Sequence, residues 1–203
     1  MSLKHNLVLL LALLACILHP VLLPAQSGTL GGARRNDFKI TMLSLGSGSS
    51  RFTYERAFSP RNSAELTLGV IGLGWDFMNH SDPHGLLLKF AFKWRLAPQP
   101  RSNSWLAGFY LKPELVFAAF RQDCRYRDAY SAPPQCPAQT RPGARHAECG
   151  YQLLLRWFVF DVYCGLGPSF GTGNDYNYYH SFMLFPSDGW LAFTAGYRIG
   201  FAF

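Results

Sequence analysis

The chain has 203 residues, of which 49% are apolar or aromatic, 16% aromatic and only 15% charged, with 19 glycines, 5 cysteines and a net charge of +7. Few charges, many rings and many glycines point to numerous strands joined by tight turns, and no apolar run beyond the N-terminus approaches the length of a membrane helix. The basic residues stand singly, many at alternate positions, rather than in one patch, which excludes a nucleic-acid footprint.

Lys4 and His5 precede an apolar run from Leu7 to Leu23, and Ala25 offers a small residue before Gln26. A basic start, a short greasy middle and a small cleavage residue are the layout of a secretory signal. The run is shorter than the roughly 20 apolar residues of a spanning helix and is interrupted by Pro20. Cys16, in LLAC, is a poor lipidation site because apolar residues continue past it through Leu22. The expected organisation is a signal peptide over 1–25, a short periplasmic segment over 26–36, and one domain over 37–203.

Alternating patterns then follow one another along the domain. Side chains alternate sides with period two in a strand. Phe38 to Leu45 and Arg51 to Phe58 alternate loosely. Ser63 to Trp75 sets Leu66, Leu68 and Val70 against Glu65, Thr67 and Gly69. Leu86 to Leu96 is the clearest: Leu86, Leu88, Phe90, Phe92, Trp94 and Leu96 oppose Leu87, Lys89, Ala91, Lys93 and Arg95. Trp105 to Phe120 sets Phe109, Leu111, Leu115 and Phe117 against Gly108, Tyr110, Lys112, Glu114 and Ala118. Glu148 to Leu155, Phe158 to Phe170 and Trp190 to Phe203 continue the alternation. Pro113, in mid-strand, predicts a bulge or a local bend, since it has no N–H for a ladder bond.

Eight strands result, an even number near the lower limit for transmembrane barrels. The connections at 59–62, 97–104 and 156–157 are short. Those at 76–85, 121–147 and 171–189 are longer; the one at 46–50 departs from this asymmetry. Alternation alone does not say which face meets lipid, because a soluble lipocalin-like barrel alternates too. The polar face, however, is rich in small residues such as Gly69, Ala91, Gly150, Gly165 and Gly196, suited to a narrow interior. The fold expected is therefore an all-β, eight-stranded antiparallel up-and-down transmembrane barrel with its rings outward. The last strand, YRIGFAF, puts Tyr197, Ile199, Phe201 and Phe203 on one side and resembles the barrel-assembly signal of outer-membrane proteins.

The segments YERAFSPRNSAELTLGV, GFYLKPELVF, GYQLLLRWFVFDVYCGLG and YRIGFAF resemble those of a family of small bacterial outer-membrane β-barrels of unknown function. That family is related to the OmpA-like and OmpX-like eight-stranded barrels. The resemblance implies a location in the outer membrane, contact with its lipid and lipopolysaccharide, delivery by the barrel-assembly machinery and a monomeric state. It brings no catalytic residue and no cofactor.

If the rings face outward, Lys39, Arg51, Lys89, Lys93, Arg95, Lys112, Arg156 and Arg198 point into the lumen with Glu55, Glu65, Glu114, Glu148 and Asp161. Desolvated charges are costly unless paired, so an ion-pair network that plugs the barrel is expected. Cys124 and Cys136 share the long third outer loop and are candidates for a disulfide. A two-residue turn at 156–157 pairs Leu155 with Phe158; counting back along both strands sets Cys149 opposite Cys164, a second candidate. Arg121, Arg125, Arg127, Arg141 and Arg145 are candidate contacts for the phosphates of anionic lipid. Asp76, His80, Asp82 and His84 lie together in one loop, but as solvated polar groups rather than as a metal site. The loop containing Tyr176, Tyr178, Tyr179 and His180 fits the aromatic girdle of a barrel. His180 and Ser181 are adjacent, so they face opposite ways on a strand, and no catalytic triad is evident. A non-enzymatic structural or surface-interaction role is expected. The alternatives are a lipid A-modifying enzyme and a narrow solute channel.

Overall fold

The computed structural model describes residues 34–76, 81–98, 105–123, 141–172, 177–178, 181–183 and 191–203. All lie in the second of the two units into which the chain divides, Ala33–Phe203. The signal peptide, Cys124, Cys136, Arg125, Arg127, His80, Tyr176, Tyr179 and His180 fall outside the described residues.

The strands are β1 (Asn36–Thr41), β2 (Ser47–Ala57), β3 (Asn62–Asp76), β4 (Ser81–Pro98), β5 (Gly108–Asp123), β6 (Arg141–Leu155), β7 (Phe158–Thr172), β8 (Asn177–Tyr178), β9 (Ser181–Met183) and β10 (Leu191–Ala202). One short helix, α1 (Met42–Gly46), stands between β1 and β2. Each long strand pairs antiparallel with the next, and β10 returns to pair with β1, from Asp37↔Ala202 to Thr41↔Arg198. The eight long strands thus close an up-and-down barrel with no free edge at the seam. Among the described residues no helix is long and apolar enough to cross a bilayer.

The expected strand over Phe38 to Leu45 is cut short. The chain leaves the ladder after Thr41 and coils into α1, because serine hydroxyls offer the backbone other partners. Ser44 Oγ donates to the Thr41 carbonyl at 2.8 Å and Ser47 Oγ to the Ser44 carbonyl at 3.1 Å. Continued in register, Met42 and its successors would have faced Tyr197 and the residues before it. Further up the same edge of β10, Ala192 and Phe193 pair with β9 instead.

Pro113 makes no bulge. Ala91↔Glu114 and Trp94↔Leu111 flank it in one unbroken register, and it pairs with Ala147 of β6. The missing N–H costs a ladder bond but inserts no residue. Register shifts instead fall at Ser47/Ser49, Ser81/His84 and Arg95/Ala97. Trp105 to Ala107, expected within the strand, lie outside it: Gly108, with φ of 129°, turns the chain into the wall there.

The faces are as the alternation predicts. Phe90 and Trp94 are 44% and 48% exposed, whereas Lys89 and Lys93 are 3% and 0% exposed. Leu86, Leu111, Leu115, Phe117, Val162 and Leu166 join the rings on the outer face. Inside, two apolar layers bracket a polar one. At the end carrying the short turns, Ala57, Leu106, Val159 and Ala202 pack together under Trp105 and Leu154. At the opposite, loop-bearing end, Ile71, Leu87, Val116, Ala118, Phe120 and Ala144 form the second cluster.

Candidate functional site

The polar layer between these clusters is a connected network of buried charges. Glu65 is its hub. Its carboxylate meets Lys39 at 2.8 Å, Lys93 at 2.7 Å, Arg198 at 3.0 Å and Lys112 at 3.1 Å. Those four cations come from β1, β4, β5 and β10, so the hub ties distant parts of the wall together. Glu55 accepts hydrogen bonds from Lys39 at 2.6 Å, Lys93 at 3.0 Å and Ser63 at 2.5 Å, and pairs with Arg95. Asp161 accepts from the Tyr110 hydroxyl at 2.6 Å and lies 3.2 Å from Lys93.

Toward the loop end, Glu114 takes Lys89 at 2.6 Å and Lys112 at 3.1 Å, and Glu148 lies 2.7 Å from Lys112. Every carboxylate here has a cation close by, which is what makes such burial tolerable. Threonines and tyrosines complete the lattice: Thr53 and Thr67 share a 2.7 Å hydroxyl bond.

The tyrosines occupy room left by glycines. Tyr110 pairs across to Gly150, Gly150 to Tyr163, and Tyr163 to Gly196, so large and absent side chains alternate around the inner wall. A Cβ on Gly150 would run into the Tyr110 ring, and one on Gly196 would lie 2.8 Å from the Tyr163 hydroxyl. Lys93 Nζ sits 4.1 Å from the centre of the Tyr110 ring, and the Arg198 guanidinium 4.1 Å from that of Tyr163. Cations over ring faces add attraction where water is excluded.

Lys39, Arg51, Glu55, Glu65, Lys89, Lys93, Arg95, Lys112, Glu114, Glu148, Asp161 and Arg198 are buried in the lumen, as expected. Arg156 is not. It occupies the two-residue turn after β6 with φ of 57° and is exposed, because strand alternation ends at Leu155. Three lumen residues were missed: Asp37, which accepts from Gln152 at 2.6 Å, Gln152 itself, and His146, 3.5 Å from Glu114. Each has the right parity; Asp37 lies one residue and His146 two residues before the strand starts that the sequence pattern gives.

Glu114, His146 and Glu148 bring three potential ligand atoms within 4.8 Å of one another. Lys89 and Lys112 already bind those carboxylates, so a metal ion would have to compete with two ammonium groups.

On the outer face Cys149 and Cys164 stand as a directly opposed pair, as the turn count predicts. Both are free thiols. Of the candidate lipid-contacting arginines, Arg121 and Arg145 are exposed, and Arg145 lies over the Phe170 ring with 5.8 Å to its centre. Asp76 and Asp82 are placed by their backbones only, and His84 is exposed.

No protein-family model, curated protein or solved structure matches this chain.

Proposed function

We propose that the chain is an integral β-barrel protein of the bacterial outer membrane, with a lumen plugged by its own side chains and no catalytic role. Its task in this reading is structural or lies in surface contacts made by the loop end. One observation carries the proposal: the closed barrel wears its rings and leucines outside, while the described acidic side chains all lie within it. A soluble monomer rarely presents a contiguous apolar surface of that extent, whereas a barrel in hydrocarbon requires it. The secretory-like start and the family resemblance of YRIGFAF add to the reading. The partners proposed with it are membrane lipid, lipopolysaccharide phosphates at Arg121 and Arg145, and the barrel-assembly machinery; the protein acts as a monomer.

The plugged state is favoured over a channel because apolar clusters lie above and below the ion-pair network. The test is refolding of the full chain into phospholipid vesicles and planar bilayers. The expected result is a compact, heat-modifiable band, protection of the strands from protease and no unitary conductance. Discrete current steps would support the channel instead. A changed acylation pattern of lipid A in cells making the protein would support an enzyme. A chain that stays in the aqueous phase as a folded monomer would end the membrane reading.

A further inference from the structure

The turn-bearing rim of the barrel is strongly basic. Arg34, Arg35, Arg56, Arg61 and Arg156 gather at this end, and none of the described acidic side chains is exposed there. Two of these arginines share a cavity of about 250 Å³, lined by Arg35, Asn36, Arg56, Ala57 and Phe58. Backbone pairing fixes its walls. Ala57 donates its backbone N–H to the Arg35 carbonyl at 2.7 Å, and Asn36 pairs across to Arg56. The Arg35 guanidinium is stacked 4.0 Å from the centre of the Trp105 ring, which in turn packs on the apolar cluster closing the lumen. Stacking holds the guanidinium plane and leaves its N–H edges for an acceptor.

An apolar ridge begins where the cavity ends. The outward residues following Asn36 and Arg56 along the wall are Phe38 opposite Tyr54 and Ile40 opposite Phe52. Phe38 stacks on Phe52 at 6.1 Å and meets the tilted ring of Phe201 at 6.0 Å, and Phe201 meets Phe203 at 5.8 Å. Two arginines lining one cavity, above a strip of half-buried and exposed rings, match the two halves of an amphiphile: a phosphate and an acyl chain.

We propose that Arg35 and Arg56 form a binding site for the phosphate of an anionic glycerophospholipid, whose acyl chain lies along Phe38, Phe52 and Phe201. This rests on the membrane reading above. The guanidinium N–H groups donate to the phosphate oxygens in charge-assisted bonds, and Phe58 flanks the headgroup. No bond is made or broken.

The test uses the full chain refolded in detergent, incubated with phosphatidylglycerol or phosphatidylcholine vesicles and read by native mass spectrometry for retained lipid. Phosphatidylglycerol should be retained about tenfold better, because the choline ammonium of phosphatidylcholine offsets its phosphate charge and repels the guanidinium groups, and the preference should vanish in the Arg35→Gln/Arg56→Gln variant. Phe38→Ser should lower retention of both lipids. Equal retention of the two lipids by the parent, or an unchanged preference in the double variant, overturns the site. Full displacement by inorganic phosphate with no effect of Phe38→Ser overturns the lipid in favour of the free anion. Heat-modifiable migration of the same samples in vesicles keeps the two questions apart. If the barrel inserts but shows no lipid preference, only the site fails; if it does not insert, the membrane reading fails.

Discussion

Cys149 and Cys164 face each other across β6 and β7 with their sulfur atoms 3.7 Å apart. A small rotation of each side chain brings the sulfurs to bonding distance. In an oxidising compartment the pair is expected to become a disulfide. The two thiols pass two electrons and two protons to the disulfide of a thiol–disulfide oxidoreductase, which leaves as a dithiol. Closing so short a loop restrains the unfolded chain and is worth about 3 kcal/mol. Peptide mapping without reductant should find the two strands joined at these residues, and Cys149→Ser should lower the urea midpoint. Recovery of both thiols as alkylated residues from protein exported by cells would refute the bridge.

Glu65 offers the sharpest test of the lumen. Its carboxylate serves Lys39, Lys93, Lys112 and Arg198, all buried. Glu65→Gln keeps the shape and removes the charge, leaving four cations short of their common partner. Breaking a buried pair in this way costs about 3–5 kcal/mol. The urea midpoint of the heat-modifiable band should fall clearly in Glu65→Gln and hardly at all in the exposed Arg121→Gln. Equal midpoints would mean that water, not Glu65, balances these cations.

Much of this arrangement was legible in the chain. The alternation through Leu86 to Leu96 told outside from inside, and the Leu155–Phe158 turn alone placed Cys149 against Cys164. What escaped depends on contacts that no local pattern carries. Met42 to Gly46 keeps a plausible strand alternation, yet serine hydroxyls capture its backbone. Leu106 reads as one more strand residue but folds into the mouth of the barrel, because the wall begins only at Gly108. Glu65 was expected to be paired, but its choice of four partners follows from the stagger of strands around the barrel. Strand parity continued to Arg156 points it inward, but the ladder ends at Leu155 and Arg156 sits in a turn, where parity no longer holds.

Gly150 is a packing requirement. The inner wall at this position is filled by Tyr110, whose hydroxyl holds Asp161 at 2.6 Å, and a Cβ on Gly150 would also lie 2.5 Å from the Val162 carbonyl oxygen. Gly150→Val must push the wall or the ring aside, and overpacking of this kind costs about 1–3 kcal/mol. The expected result is a lower urea midpoint with the barrel still formed. The outward-facing Leu153→Val, by contrast, should be nearly silent. A silent Gly150→Val would show that Tyr110 is free to leave the wall and that its bond to Asp161 matters little.

The outer face is tested by a single charge. Phe90 lies in mid-strand on β4, opposite Leu66 and Leu115, with its ring turned outward. In water, Phe90→Arg would be harmless, since an exposed ring exchanged for an exposed guanidinium loses little packing. At the middle of a bilayer the same change costs about 2–4 kcal/mol, because the guanidinium has no partner in hydrocarbon. Folding yield of Phe90→Arg into vesicles should therefore drop well below that of the parent. The size of the drop should diminish for Leu96→Arg, which stands nearer the turn-bearing rim where headgroups and water can reach the charge. Two variants folding as well as the parent would mean that this face meets water, and the rings of Phe90 and Trp94 would then need another partner to cover them.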